Sequence, residues 1–149
     1  MFVAGSRCPN SATSNDAWIG KYSLSMVLLT SATVNGSTSN TDQYQRLAED
    51  GSGGVYAVGY LNTATAADRF IQRYDANLVR VSSALINGPG NSNEYLADIM
   101  VTSSGTLLVS GDQSDTAGLV GRNALIAEYT TGYALISITT FSSSGSGED

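Results

Sequence analysis

A seven-residue motif occurs three times, and this repeat constrains the fold more than any other feature of the chain. The motif is "AWIGKYS" at 17–23, "RFIQRYD" at 69–75 and "ALIAEYT" at 124–130. Its tyrosines lie 52 and 55 residues apart, at Tyr22, Tyr74 and Tyr129. A repeat with a period of about 50 residues predicts that one supersecondary unit is stacked several times.

Further landmarks support the same period. A hydrophobic run ending in glycine precedes each motif, and these glycines are 54 and 52 residues apart at Gly5, Gly59 and Gly111. After the motif, "VNG" and "ING" place Gly36 and Gly88 52 residues apart. Between the units, Tyr44 and Tyr95 are 51 residues apart. The landmarks divide the chain into units at 1–41, 42–92 and 93–141, with a polar tail at 142–149.

Each unit is predicted to consist of β-strands. The stretch at 69–75 alternates, which places Phe70 and Tyr74 on one face and Ile71 on the other. Apolar residues on both faces indicate a strand packed between neighbouring sheets. The stretch at 44–60 is predicted as a hairpin turning at "EDGSGG", and 79–86 as the last strand of the unit. With the strands named A to D, the sequence predicts eleven strands, because the first unit lacks strand A.

Four antiparallel strands in a period of about 50 residues are typical of a propeller blade. The sequence therefore predicts an all-β chain, a β-propeller fragment of about three four-stranded blades. The equally spaced tyrosines are predicted to pack between blades, with a ring of stacking platforms as the alternative. Polar residues at the start of strand C are predicted to cap the preceding loop: Asp16, Asp68 and Asn123.

The repeats resemble those of bacterial β-propeller proteins of the SBBP kind. The similarity rests on "AEDGSGGVYAVGY" with "DRFIQRYD", on "VTSSGTLLVSGD" with "NALIAEY", and on "FVAGS" with "DAWIGKY". Glu128 departs from the pattern, since a basic residue is usual at its position. The resemblance implies a surface or secreted bacterial protein and no particular chemistry.

Fewer than three full blades are too few for a closed ring, because known propellers have about four to eight. Three arrangements remain open: two chains joined into a six-bladed ring, an excerpt of a longer protein, or an open arc. A homodimer is the favoured expectation, and it is compatible with the excerpt. The N-terminus lacks the features of a signal peptide, and no apolar run is long enough to cross a bilayer, so no membrane partner is expected.

Several activities are disfavoured by composition. The net charge is −6 and the seven basic residues are dispersed, so nucleic acid is not an expected partner. The sequence has no histidine and one cysteine, Cys8, which excludes histidine-based catalysis and thiolate zinc sites. No cofactor, metal or catalytic residue is predicted. The acid pair Glu49–Asp50 is interpreted as part of a turn.

The loops between strands B and C differ in sequence while their flanks repeat, and variable loops of repeat proteins often form the binding face. They are rich in Ser, Thr, Asn and Asp, which suits polar ligands such as carbohydrates. The sequence therefore predicts a non-catalytic module for binding or scaffolding. The alternatives are a glycan-active enzyme and a purely structural segment of a surface protein. The candidate ligand-binding residues are Asn10, Asn15, Asn62, Asp112, Asp115 and Arg122.

Overall fold

The computed structural model describes residues 1–8, 14–36, 40–88, 92–114 and 122–141. These residues form eleven strands and no helix. The strands are β1 (Phe2–Arg7), β2 (Asp16–Tyr22), β3 (Leu28–Val34), β4 (Gln43–Glu49), β5 (Val55–Asn62), β6 (Ala67–Tyr74), β7 (Arg80–Ile86), β8 (Tyr95–Val101), β9 (Leu107–Ser114), β10 (Arg122–Tyr129) and β11 (Leu135–Phe141). The predicted all-β class is confirmed.

The strands form three antiparallel sheets in which every strand pairs with its neighbour in the chain. The first sheet has the order β1-β2-β3, the middle sheet β4-β5-β6-β7, and the third sheet β8-β9-β10-β11. The predicted layout of strands, with three in the first unit and four in each of the others, is therefore confirmed.

The first and middle sheets pack face to face. Ile19 on β2 is fully buried against a face of the middle sheet that carries Phe70 and Tyr74 on β6. The Tyr74 hydroxyl lies 2.7 Å from that of Tyr44 on β4. Tyr74 of the middle motif thus packs between two sheets, whereas Tyr22 of the first motif is only partly buried.

The middle and third sheets repeat this packing. Ile71, on the other face of β6, is fully buried among side chains of the third sheet that include Leu125 and Tyr129 on β10. At both contacts between sheets, the isoleucine side of one motif therefore faces the tyrosine side of the next. A middle sheet covered on both faces explains why its motif is apolar on both sides.

The sheets approach one another at one edge and are exposed at the other. Contacts between sheets involve chiefly β1, β4 and β8, together with β2, β5 and β6. The last strand of each sheet is far more exposed, and all seven residues of β11 are exposed. The stack is therefore buried along one edge and solvated along the opposite one.

A β-bulge in β4 and another in β8 determine which residues of the second and third repeats are equivalent. The pairing register shifts between Tyr44 and Arg46 in β4, and between Leu96 and Asp98 in β8. Tyr44 pairs with Gly59, and Leu96 pairs with Gly111. The prediction that Tyr44 and Tyr95 are equivalent is therefore wrong by one residue, because the fully buried position of Tyr44 is taken by Leu96.

The turns that join the last two strands of each sheet share a left-handed residue with a large side chain. The φ angles are 60° at Met26, 61° at Leu78 and 68° at Tyr133. Leu78 packs between the first and middle sheets, and Tyr133 packs against the cluster between the middle and third sheets. Contacts of the side chain with the preceding sheet offset the unfavourable backbone geometry at these two residues.

The turn at Asp50 is stabilised by its own carboxylate, as predicted for the Glu49–Asp50 pair. Asp50 accepts hydrogen bonds from Ser52 N and Gly54 N, both at 2.8 Å, and from Arg73 Nη2 at 2.8 Å. Burial raises the pKa of the Asp50 carboxyl, but these hydrogen bonds together lower it to about 2 from an ordinary value of 3.8.

Asp50→Asn is expected to reduce the free energy of unfolding by about 1–2 kcal/mol at neutral pH. A folded-state pKa below the unfolded value stabilises the fold above about pH 4, and this contribution is lost as the pH falls through 2. Denaturant unfolding from pH 7 to pH 2 should show the two chains converge at low pH. Glu49→Gln, a change at an exposed neighbour, is the control. A difference that does not change with pH would contradict this account of the turn.

Candidate functional site

A polar groove of about 450 Å³ lies at the end of the middle sheet where β5 ends and β6 begins. Its walls come from the turn between β5 and β6 and from the segments leading into β4 and β8. The lining side chains are amides, hydroxyls, tyrosines and alanines, and none carries a charge. The lining residues are Asn40, Thr41, Tyr60, Asn62, Thr63, Ala64, Thr65, Ala66, Asn93 and Tyr95.

A buried carboxylate fixes one wall of the groove. Asp42 is fully buried and accepts hydrogen bonds from Asn62 N at 2.7 Å and from Gly36 N at 2.5 Å. Its own N–H donates to the Asn15 carbonyl at 2.8 Å. The Asn62 side-chain amide donates to the Thr41 carbonyl. Burial is the main reason that the pKa of Asp42 is raised, and the N–H groups of Gly36 and Asn62 oppose it.

Glu94 has the same role one repeat later, at the opposite wall. It is fully buried, its carboxylate accepts a hydrogen bond from Gly88 N at 2.7 Å, and its N–H donates to the Ala67 carbonyl at 2.7 Å. Arg69 is also buried, and its Nε lies 3.2 Å from Glu94 Oε2. Burial raises the pKa of Glu94, while the Arg69 guanidinium opposes this. We call the two contacts between neighbouring sheets seams: the first seam joins the first and middle sheets, and the second joins the middle and third. At each seam, a carboxylate thus joins the end of one sheet to the start of the next.

The turn between β5 and β6 is held by short hydrogen bonds. Thr63 N donates to the Ala66 carbonyl at 2.7 Å, and Thr63 Oγ1 donates to the same carbonyl at 3.0 Å. Ala67 N donates to Asn93 Oδ1 at 3.0 Å, which attaches the turn to the segment before β8. Thr65 is left exposed at the tip of the turn. The groove is therefore built on ordered backbone.

An aromatic and cationic group borders the groove on the side of the third sheet. The rings of Tyr60 and Tyr95 meet edge to face with centroids 4.6 Å apart. The Arg122 guanidinium stacks 4.6 Å from the centre of the Tyr95 ring, and Arg122 Nη1 lies 3.4 Å from Asp112 Oδ2. Burial raises the pKa of the Tyr60 hydroxyl, so this group remains a neutral donor and acceptor at physiological pH.

The structure brings together three of the candidate residues from the sequence. Asn62 lines the groove, while Asp112 and Arg122 lie next to it through Tyr95. Asn15 lies at the other seam, where its carbonyl accepts from Asp42 N. Two further candidates, Asn10 and Asp115, fall outside the described residues. Of the loops between strands B and C, the one that joins β5 and β6 lines the groove.

Sequence reasoning missed Tyr60, Tyr95 and the polar residues that precede β4 and β8. Tyr60 lies in β5, Tyr95 begins β8, and the polar residues precede β4 and β8, so these residues meet only when two sheets stack. Tyr95 carries one signal: it occupies the position of Gln43 in the preceding repeat, so an aromatic residue replaces an amide beside the loop.

The chemistry available in the groove is hydrogen bonding and contact with aromatic rings. The lining contains no carboxylate, so it does not supply the paired acids that glycoside hydrolysis needs. Within the described ranges, no group of three or more His, Cys, Asp or Glu side chains is arranged to hold a metal ion. The same ranges contain no helix long and apolar enough to span a membrane.

Comparison with known proteins leaves the chain without an assigned family. No protein-family model matches the sequence, and no curated protein is significantly similar to it. Function must therefore be argued from the groove and the sheets themselves.

Proposed function

We propose that the chain is a non-catalytic binding module of the β-propeller type and that its groove binds a neutral, polyhydroxylated ligand such as an oligosaccharide. The uncharged lining of amides, hydroxyls and tyrosines carries this proposal. Sugars offer hydroxyls that pair with amide and hydroxyl side chains, and apolar faces that pack on aromatic rings. The net charge of −6 disfavours anionic ligands.

The propeller assignment is supported by the meander order within each sheet and by the equivalent seams between sheets. Further support comes from sheets that pack closely at one edge and are exposed at the other, as blades arranged around an axis would be. The turns between β5 and β6 and the segments before β4 and β8 then lie on one face of the propeller. Loops gathered on one face are the usual binding surface of repeat folds.

A glycan-active enzyme remains the second candidate of the sequence analysis. Asp112 lies beside the groove, where it accepts a hydrogen bond from Tyr95 N at 3.1 Å, and it is paired with Arg122 at 3.4 Å. General acid–base cleavage of a glycosidic bond uses two facing carboxyl groups. Because the described lining offers none, binding is favoured over cleavage.

A glycan array followed by calorimetry tests the proposal. We expect neutral oligosaccharides to bind, and Tyr60→Ala to weaken binding about tenfold or more because an aromatic contact is lost. Tyr60→Phe should retain most of the affinity, since it keeps the ring. Thr65→Ala, in the groove, should weaken binding modestly, whereas Thr131→Ala, an equally exposed turn residue elsewhere, is the matched control. The proposal fails if no neutral glycan binds or if Tyr60→Ala leaves the affinity unchanged.

A further inference from the structure

The stack ends in two open faces, and each is equivalent to a face that is buried inside the stack. We name the outer face of the first sheet the tryptophan face (Trp18, Tyr22 and Leu28) and that of the third sheet the isoleucine face (Met100 and Ile126). Trp18 and Tyr22 occupy the positions that Phe70 and Tyr74 occupy in the middle sheet. Phe70 and Tyr74 are both 1% exposed because the first sheet covers them.

The isoleucine face also corresponds to faces that are buried inside the stack. Ile126 is equivalent to Ile19 and Ile71, both fully buried by the following sheet. Ile126 itself is 45% exposed, and Met100 on β8 of the same sheet is 53% exposed. In an isolated copy, the same side chain is thus buried twice and left in solvent once.

We propose that the tryptophan face of a second copy docks on the isoleucine face, reproducing the seam that the chain makes twice internally. An isoleucine face meets a tyrosine-bearing face at both internal seams, and the free ends of the stack are one of each. A head-to-tail contact closes into a ring when its rotation allows. Two copies joined by two such seams give six sheets, within the range of about four to eight in known propellers.

The left-handed turn residues support the same docking. Leu78, at its left-handed position, is 6% exposed because it packs toward the preceding sheet. Met26 has the same backbone geometry and is 68% exposed. An apolar side chain on an unfavourable backbone is explained when a partner buries it. Met26 extends the tryptophan face at the place where Leu78 extends the internal seam.

One charged position distinguishes the proposed seam from the internal ones. Lys21 Nζ donates to the Ala76 carbonyl at 2.6 Å across the first seam, and Arg73 holds the same position at the second. In the third sheet this position is Glu128, which accepts a hydrogen bond from Thr106 Oγ1 at 2.5 Å. Arg73 itself pairs with Asp50 of its own sheet, so the carbonyl contact is a feature of the first seam. A carboxylate cannot donate to a carbonyl, so the seam between copies lacks the contact that Lys21 makes.

Light scattering and sedimentation of the full chain test the docking. The wild-type chain should have twice the single-chain mass of 15.5 kDa. Met26→Asp and Ile126→Asp, at side chains 68% and 45% exposed, should each give the single-chain mass and raise the dissociation constant by about 100-fold or more. Both positions are buried at the internal seams, where Leu78 and Ile71 occupy them, so a carboxylate there would be desolvated. Leu85→Asp, at a 52% exposed position of the middle sheet, should leave the mass doubled.

The two variants separate head-to-tail docking from pairing of like faces. If like faces paired, only one of Met26→Asp and Ile126→Asp would dissociate the complex. Circular dichroism verifies that each variant is folded. A single-chain mass for the wild type, a mass other than twice the single chain, or a complex that survives either substitution would overturn the proposal.

Glu128→Lys tests the docking with a substitution that should strengthen the association of the two copies. It restores the cation found at the internal seams, so we expect association to tighten about tenfold. Glu49→Lys makes the same charge change on the exposed part of β4 and controls for reduced repulsion between two acidic copies. Equal effects of the two variants would contradict the specific role of position 128. This inference is independent of ligand binding in the groove, so either proposal can fail alone.

Discussion

Gly59→Ala is expected to lower the free energy of unfolding by about 3 kcal/mol or more. A Cβ atom at Gly59 would lie 1.9 Å from the Gln43 carbonyl oxygen, and one at Gly111 would lie 2.1 Å from that of Tyr95. The bulge at Tyr44 brings this backbone over the glycine, and backbone cannot move aside as a flexible side chain can. Chemical denaturation of Gly59→Ala and of Gly111→Ala measures the loss in free energy of unfolding.

The same substitution at Gly5 is the matched control. Gly5 occupies the equivalent position of the first sheet, where the described residues supply no fourth strand and place nothing within 4 Å of an added Cβ. We expect Gly5→Ala to change the free energy of unfolding by less than about 1 kcal/mol. Equal costs at Gly5 and Gly59 would show that strand propensity, rather than the crossing backbone, explains the conserved spacing.

Glu94→Ala is expected to destabilise the fold by about 3–5 kcal/mol. The substitution leaves Arg69, itself 3% exposed, without its ion-pair partner, and it removes the acceptor for Gly88 N. Removing one member of a buried ion pair costs far more than the pair contributes relative to apolar residues. Glu94→Gln should be less damaging, because the amide oxygen still accepts the backbone N–H.

An exposed ion pair between the middle and third sheets provides the comparison. Arg46 Nε lies 3.2 Å from Asp98 Oδ1, and both side chains are about 60% exposed. Asp98→Ala should change the free energy of unfolding by less than about 1 kcal/mol, because exposed pairs are well hydrated in both states. Thermal and denaturant unfolding of both variants test the contrast. A loss at Asp98 as large as that at Glu94 would contradict the assigned importance of burial.

The strands were predictable because each repeat carries local signals. Alternation around Tyr74, the turn at Asp50 and the glycine at Gly59 fix three strands and a hairpin without knowledge of the neighbouring sheets. The predictions from sequence failed at positions whose environment depends on the packing of one sheet against another. Asp68 was expected to cap a loop, yet it lies inside β6, is 3% exposed, and its Oδ1 has no hydrogen-bond partner in the described part of the chain.

The groove was less predictable than the fold. Asn62 was identified from loop variability, but Tyr60 and Tyr95 are 35 residues apart in the chain and meet only across a seam. The carboxylates that hold the walls were also missed, because one repeat uses Asp42 and the next uses Glu94. A change of side-chain length hides their equivalence in the sequence, although both accept a hydrogen bond from the glycine six residues earlier.

Pairing of every strand with its chain neighbour has an evolutionary consequence. A sheet can be duplicated or deleted as one continuous segment of the gene, because all of its strands are consecutive in the chain. Such an event changes the number of seams by one and leaves the internal structure of the other sheets intact. Proteins built this way can vary in the number of their sheets through simple recombination while keeping each unit unaltered.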